Sequence, residues 1–485
     1  MDLRISPRLV YRNLSCGFLV AILAVCTVPR ADAQLGSIDF PTSAGDEAHR
    51  EFHRGVLLLH SFEYDDAAEA FRAAQDLEPD FAMAYWGEAM TRNRVIWGQQ
   101  FLDEGRAILD RLGGTPEERQ QKALTQRERD YLDAVELLYG EGERVDRQRA
   151  YRDRMRRVYE AYPDDLEAAS FYALSILGAV DDGRDFVAYM KAAGIAEQVF
   201  EVNREHPGAV HYLIHAYDDP VHAPLGLRPA RVYAGIAPDA THALHMPSHI
   251  FVALGMWDDV VASNEESWAA SVRRMERKGL GAGDKSFHAL MWLHYGLLQQ
   301  GRFDEAAAKL DQMVADNDVA GTRGTRFHLA RMRAHHIIET EEWEGPAVDL
   351  AVDVSDLGLV AFVANHFSTG YAAARRGELD LARDELNVIL LRLDEAGENE
   401  DTGAAGVMTS ELIAVVDHAE GKLDLAIEEL RDVVAVESSL PFAFGPPEIA
   451  KPSAELLGEM LLEVEDYDGA AAAFEMALER APGRR

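Results

Sequence analysis

Histidines mark the part of this chain where chemistry is concentrated. Seven of the 17 lie between His206 and His249, in HPGAVHYLIHAYDDPVH (206–222) and HALHMPSH (242–249). His211 and His215 stand four residues apart, and His242, His245 and His249 are spaced by three and four. On helices each set forms one stripe. Such imidazoles, with Asp218 and Asp219 close by, suit zinc, copper, nickel or iron, which accept nitrogen and carboxylate ligands. In that reading the five histidines are ligands, and Asp218 or Asp219 is a ligand or a general base. The alternative is a structural network of buried neutral rings, with Ser248 and the carbonyls freed by Pro247 among their partners. Acid–base catalysis by the same groups is a third reading. No H-E-x-x-H motif and no cysteine pair decides between them.

A second constellation lies nearer the N-terminus. His49, His53 and His60 share a helix face, and AMAYWGEAM (82–90) places Tyr85, Trp86 and Glu88 on the next first helix. These residues either pack a repeat or, with His60, line a groove that receives a basic or peptide ligand. His288, His294, His328, His335 and His336 read as lining or core. The sequence has no phosphate-cradling glycine loop, nucleophile elbow, kinase signature or dinucleotide fingerprint.

The elements that carry these residues follow from the period of the chain. Apolar residues return at helical spacing almost everywhere after Ala48, without strand-like alternation. Ala67, Phe71, Ala74 and Pro79 recur at the same offsets as Ala470, Phe474, Ala477 and Pro482, with Gly55 and Gly458 twelve residues before each first alanine. Ala306-Leu310-Met313, Ala382-Leu386-Ile389 and Ala426-Leu430-Val433 are weaker copies, preceded by QGRFDEA, RGELDLA and EGKLDLA. Gly301, Gly377 and Gly421 are expected to end first helices in a left-handed cap. The spacing is that of tetratricopeptide helix pairs, and it predicts an all-α, TPR-like α-solenoid over residues 48–484. Two stretches break the period. Residues 99–146 read as a polar insertion with a loop at Gly113-Gly114 and a capping sequence from Thr115 to Glu118. Residues 439–452 carry four prolines and read as a connector, either folded over the concave face or a plain spacer. Asp239 is the expected N-cap of the helix bearing His242, with Pro247 inside that helix.

Residues 1–33, with arginines before the apolar run GFLVAILAVCTV and ADA before Gln34, read as an export signal cleaved after Ala33, with 34–47 a linker. A lipid anchor at Cys26 is the alternative, though Val25 stands where a small residue is usual. Cys16 and Cys26 are the only cysteines, so the remaining chain has no disulfide and no thiolate. A net charge of −36 disfavours nucleic acid and anionic lipid and is compatible with cations. The last residues, LERAPGRR, offer no capping helix, so a partner contact is expected at that end.

LLLHSFEYDDAAEAFRAAQDLEPDFAMAYWGEAM (57–90), HPGAVHYLIHAYDDP, HALHMPSHIFVALGMWDDVVASNEES (242–267) and FGPPEIAKPSAELLGEMLL (444–462) closely resemble a group of bacterial tetratricopeptide-repeat proteins. They are more distantly similar to the eukaryotic tetratricopeptide repeat protein thirty-eight. The resemblance implies the fold and an exported helical-repeat protein, and it brings no activity. The chain departs from that group at TRNRVIW (91–97), where His-Pro-Leu-Trp is common. The sequence thus predicts a periplasmic or secreted solenoid, without a transmembrane segment in its mature form, that binds a protein, peptide or small ligand in its concave groove. The alternative is a metal-binding protein or metal-dependent enzyme built on the cluster from His211 to His249.

Overall fold

The computed structural model describes residues 33–181, 183–397 and 402–485, so the expected export signal lies outside the described residues apart from Ala33. The chain from Gln34 to Arg485 forms one unit. Helix pairs follow one another: α1 (Asp46–His60) with α2 (Tyr64–Leu77), α3 (Ala82–Met90) with α4 (Leu102–Leu112), the short α5 (Pro116–Lys122), α6 (Gln126–Leu138) with α7 (Arg144–Ala161), α8 (Leu166–Gly178) with α9 (Phe186–Val202), and α10 (Pro207–Tyr217) with α11 (Ala223–Ile236). Then come α12 (Thr241–His245) and α13 (Pro247–Ala253), which share α14 (Trp257–Lys278), and α15 (Phe287–Gln299) with α16 (Phe303–Ala320). The series ends with α17 (Arg323–Thr340) and the short α18 (Pro346–Asp349), α19 (Leu359–Arg375) with α20 (Leu379–Asp394), α21 (Gly403–Ala419) with α22 (Leu423–Ser439), and α23 (Ser453–Glu463) with α24 (Tyr467–Arg480). The protein is a TPR-like α-solenoid.

The repeat residues act as their spacing predicts. Gly55 lies against Phe71, where a β-carbon would stand 2.6 Å from the ring, and Gly458 repeats the contact with Phe474. Gly301 closes α15 at φ 69°, its neighbour Arg302 donating back to the Leu297 carbonyl at 3.0 Å, so Leu297 through Arg302 form a left-handed cap. Thr115 caps α5 through the Glu118 N–H at 3.2 Å.

Three expectations about boundaries are corrected. Residues 99–146 are not an insertion outside the array, because α4 completes the pair begun by α3 and α6 opens the pair with α7; only α5 is additional. Their polarity belongs to exposed helix faces. Residues 34–47 are not a free linker: Leu35, Ile38 and Phe40 are buried, and Phe40 packs against Phe52, Trp86 and Tyr131. Asp239 does not cap the next helix. Its carboxylate accepts the Gln34 N–H at 2.7 Å, while Ala240 precedes α12 without a side-chain cap. Pro247 divides that helix into α12 and α13, since it has no N–H to give the preceding turn.

Distant segments are tied together. Arg274 and Lys278 of α14 pair with Asp66 of α2, and Ser37 donates to the Glu205 carbonyl at 2.9 Å. The C-terminal residues turn back into the chain. Arg484 pairs with Glu339 at 2.7 Å and Glu455 at 2.6 Å, and the Trp257 indole donates to the Gly483 carbonyl at 2.6 Å. That end is packed against its own first helices. The connector also folds inward: Arg480 donates to the Leu440 and Pro441 carbonyls, Arg331 to those of Pro446 and Pro447, and Gly445 lies on the Trp292 indole.

Among the described residues no helix is long and apolar enough to cross a membrane.

Candidate metal centre

First helices α10, α12, α13 and α15 bring six imidazoles into one patch. Ligating atoms of His211, His215 and His242 lie within 4.8 Å of one another, as do those of His245, His249 and His288. The two trios adjoin, with the His215 and His249 rings 5.6 Å apart and those of His242 and His245 5.8 Å apart. The five histidines expected from the sequence are therefore together, but as parts of two trios rather than one.

In the second trio both Nδ1 atoms of the opposed pair are committed. His245 Nδ1–H donates to the Asn264 amide oxygen at 2.7 Å, and that amide is oriented by its own donation to the Val260 carbonyl at 2.8 Å. His249 Nδ1–H donates to Asp218 at 2.6 Å. A neutral imidazole carries one N–H, so each Nε2 is left with a lone pair. These two lone-pair atoms face each other at 3.2 Å. Two neutral acceptors do not hold that position by themselves; a proton or a metal ion between them would. Burial first, and His249 second, depress His245 to about 3, which disfavours the proton. Ligands on a tetrahedral zinc at about 2.0–2.1 Å stand about 3.3 Å apart, close to the observed separation. Trp292, fully buried, walls the pair with ring centroids 4.7 Å from His245 and 4.4 Å from His249.

The first trio is arranged on the same plan. His211 Nδ1–H donates to the His60 carbonyl at 2.6 Å, which aims its Nε2 at His215 Nε2, 3.1 Å away. If His215 supplies the intervening proton, its Nδ1 is a bare acceptor, and that atom is buried without a partner. His242 Nε2 is likewise buried and unpartnered. Burial depresses His211 to about 3, and burial followed by His211 lowers both His215 and His242. Phe62 and Trp97 lie against this trio, at 5.7 Å from the His242 ring. The departure at TRNRVIW therefore falls beside the first trio.

A third group shows what a closed network looks like. His60 donates Nε2–H to Glu167 at 2.7 Å and accepts the Tyr212 hydroxyl at 2.8 Å; His206 accepts the Ala209 N–H and donates to Glu167 at 3.1 Å. Every nitrogen is paired. Burial alone would raise the Glu167 carboxyl, but His206 and His60 hold it well below the usual range. This group is structural.

Several expected roles are corrected. Asp218 and Asp219 are not free carboxylates. Asp218 holds His249, while Asp219 accepts the Val221 and His222 N–H groups, the His222 ring at 2.9 Å and the Arg184 guanidinium at 3.2 Å. His60, Tyr85, Trp86 and Glu88 do not line an open groove. All four are buried: His60 lies among Glu167, Phe171 and Tyr212, Trp86 packs on Phe40 and Tyr131, the Tyr85 hydroxyl donates to the Pro79 carbonyl, and Glu88 is held by Arg72, Arg111 and Gln75. His288, which reads as lining or core in the sequence, belongs to a trio instead, and Trp292 beside it carries no sequence signal. The signal for His288 was available, since its string His-Ala-Leu (288–290) repeats 242–244 at the start of the next first helix.

No family model matches the chain, and no curated protein does. Solved structures similar to it include human IFIT1 in a dimer with PPP-AAAA, at 12% identity over 90% of this chain and 95% of that one, TM-score 0.40. Others are Cut9 with Hcn1 from the APC/C, at 11% identity over 90% and 74%, TM-score 0.39, and a Rap protein complexed with competence and sporulation factor, at 13% over 90% and 100%, TM-score 0.36. These scores are all below 0.5, so the fold assignment rests on the helix pairing itself.

Proposed function

We propose that this helical-repeat protein binds a transition-metal ion, zinc, copper, nickel or iron, on His245, His249 and His288, with His211, His215 and His242 as an adjoining second site. The observation that carries this reading is the opposition of His245 Nε2 and His249 Nε2 at 3.2 Å, each turned inward by an oxygen acceptor on its other nitrogen. Carboxylate, amide and carbonyl acceptors on the far nitrogen are the outer partners that fix metal-bound imidazoles. A ligand set of imidazoles without thiolate selects among these four metals by geometry and supply. Neither trio contains a free carboxylate base, so the reading is of metal holding rather than hydrolysis. The leader-like residues 1–33 support a place outside the cytoplasm.

The test is metal content by mass spectrometry, on protein purified without a histidine tag and again after loading with each of the four metals. At least one tightly held equivalent of one metal is expected, with one equivalent lost in a His245→Ala/His249→Ala variant that keeps its helical circular dichroism. Protein that holds none after loading would leave the six histidines as a structural network.

A further inference from the structure

The connector roofs a cavity of about 1010 Å³, between the loop at Gly183-Arg184, the end of α10, and α15, α17, α22 and α24. Most of its wall is apolar, including Val252, Trp257, Phe442 and Phe444. Its buried acids already have partners. Asp218 holds His249, Asp219 caps the turn at His222, and Glu437 accepts the Ser453 N–H and hydroxyl.

Its cations are less well served. Arg331 is 8% exposed and donates only through Nη2, to the Pro446 carbonyl at 3.2 Å and the Pro447 carbonyl at 2.8 Å. Its Nε and Nη1 hydrogens have no acceptor among the described residues, and no carboxylate forms an ion pair with it. Arg184, beneath the Phe444 ring at 5.0 Å, pairs with Asp219 at 3.2 Å and donates to the His215 and Ala216 carbonyls, but leaves its buried Nη1 without a partner. A connector pin needs only the carbonyl contacts; the spare donors of the two guanidiniums that line the cavity are not explained by it. Burying the Arg331 guanidinium without an ion pair is costly, and an anion in the cavity would remove that cost. Burial also pushes the Arg331 guanidinium down, opposed by Glu448 on the connector.

We propose that this cavity binds a small organic anion, an apolar body carrying a carboxylate or phosphate head, through the free donors of Arg331 and Arg184. The volume is that of an ordinary small-molecule site. The net charge of −36 gives such a ligand no long-range attraction, so selectivity rests on these two side chains. The site takes its donors from none of the imidazoles of the metal reading, although Asp218, which holds His249, lines the same cavity, and the two proposals are tested by different measurements.

The experiment is calorimetric titration of the full chain with octanoate, octyl phosphate, 1-octanol and octylamine. Saturable binding of octanoate or octyl phosphate is expected, with octanol and octylamine much weaker; the tighter anion assigns the head group. Arg331→Gln should weaken anion binding about ten- to a hundredfold, with metal content unchanged. Octanol binding as well as octanoate, undiminished anion binding by Arg331→Gln, or no binding of either anion overturns the proposal. Should Arg331→Gln loosen the connector, Arg184→Gln and the head-group selectivity of the unaltered chain decide the matter.

Discussion

His245 and His249 meet tip to tip, Nε2 to Nε2 at 3.2 Å, while Asn264 and Asp218 take the hydrogens on their far nitrogens. The protein matrix thus selects one tautomer for each ring and points two lone pairs at one place.

Asp218→Asn keeps an oxygen for the His249 N–H but removes its charge. Metal affinity is expected to fall about tenfold, the lower end of what outer-partner changes cost, with little change in melting temperature. Competition against a chelator of known affinity measures it, and unchanged affinity would show that Asp218 only packs.

The two trios should be separable. His288→Ala is expected to abolish metal bound with His245 and His249, whereas His211→Ala should leave that equivalent in place and affect only the adjoining site. X-ray absorption of the loaded variants reads the number of imidazoles around each metal. Equal loss in both variants would mean one shared centre.

Glu411 lies on α21, buried, with neither carboxylate oxygen hydrogen-bonded. Burial, then Glu437, raises it well above the ordinary value of 4.5. An acid raised in the folded state holds its proton more tightly there than in the unfolded chain, so stability declines as pH climbs from about 4.5 through the raised value. Glu411→Gln should therefore match the parent at low pH and exceed it at pH 8 by about 1–3 kcal/mol. Urea melts at both pH values decide this, and a pH-independent difference would refute it.

Gly445 has φ 94° and lies flat on Trp292. Gly445→Ala meets both the unfavourable backbone region and the indole, so the connector should lift at a cost of about 1–3 kcal/mol. Faster proteolysis within residues 439–452, with the helix content intact, is the expected sign.

Arg484→Met would leave Glu339 and Glu455 without their shared guanidinium. A loss of about 3–5 kcal/mol is expected in urea unfolding, because removing one partner strands buried charge. A loss below about 1 kcal/mol would show the tail to be loosely held.

Much of this was legible in the sequence. Gly55 with Phe71, Gly301 in its cap and Thr115 at its N-cap depend on residues within a single helix pair or turn, which the repeat period and turn chemistry expose. The histidine stripes were legible for the same reason. Their division into trios was not, because each trio forms between neighbouring repeats, and because Pro247 breaks the helix between His245 and His249. Burial of Trp86 was also hidden: it depends on Phe40, from a stretch whose composition reads as a linker. The inward course of the tail rests on Arg484, a residue type that composition places on the surface.

The ties between Gln34 and Asp239, Asp66 and Arg274, and Gly483 and Trp257 span roughly two hundred residues each. An open array of repeats frays from its ends, because each unit leans only on the next. Here both ends are stitched to the middle, so terminal repeats cannot melt without breaking contacts made far along the chain. Unfolding should be sharp rather than stepwise, and refolding slow, since such distant loops must close before their contacts can hold.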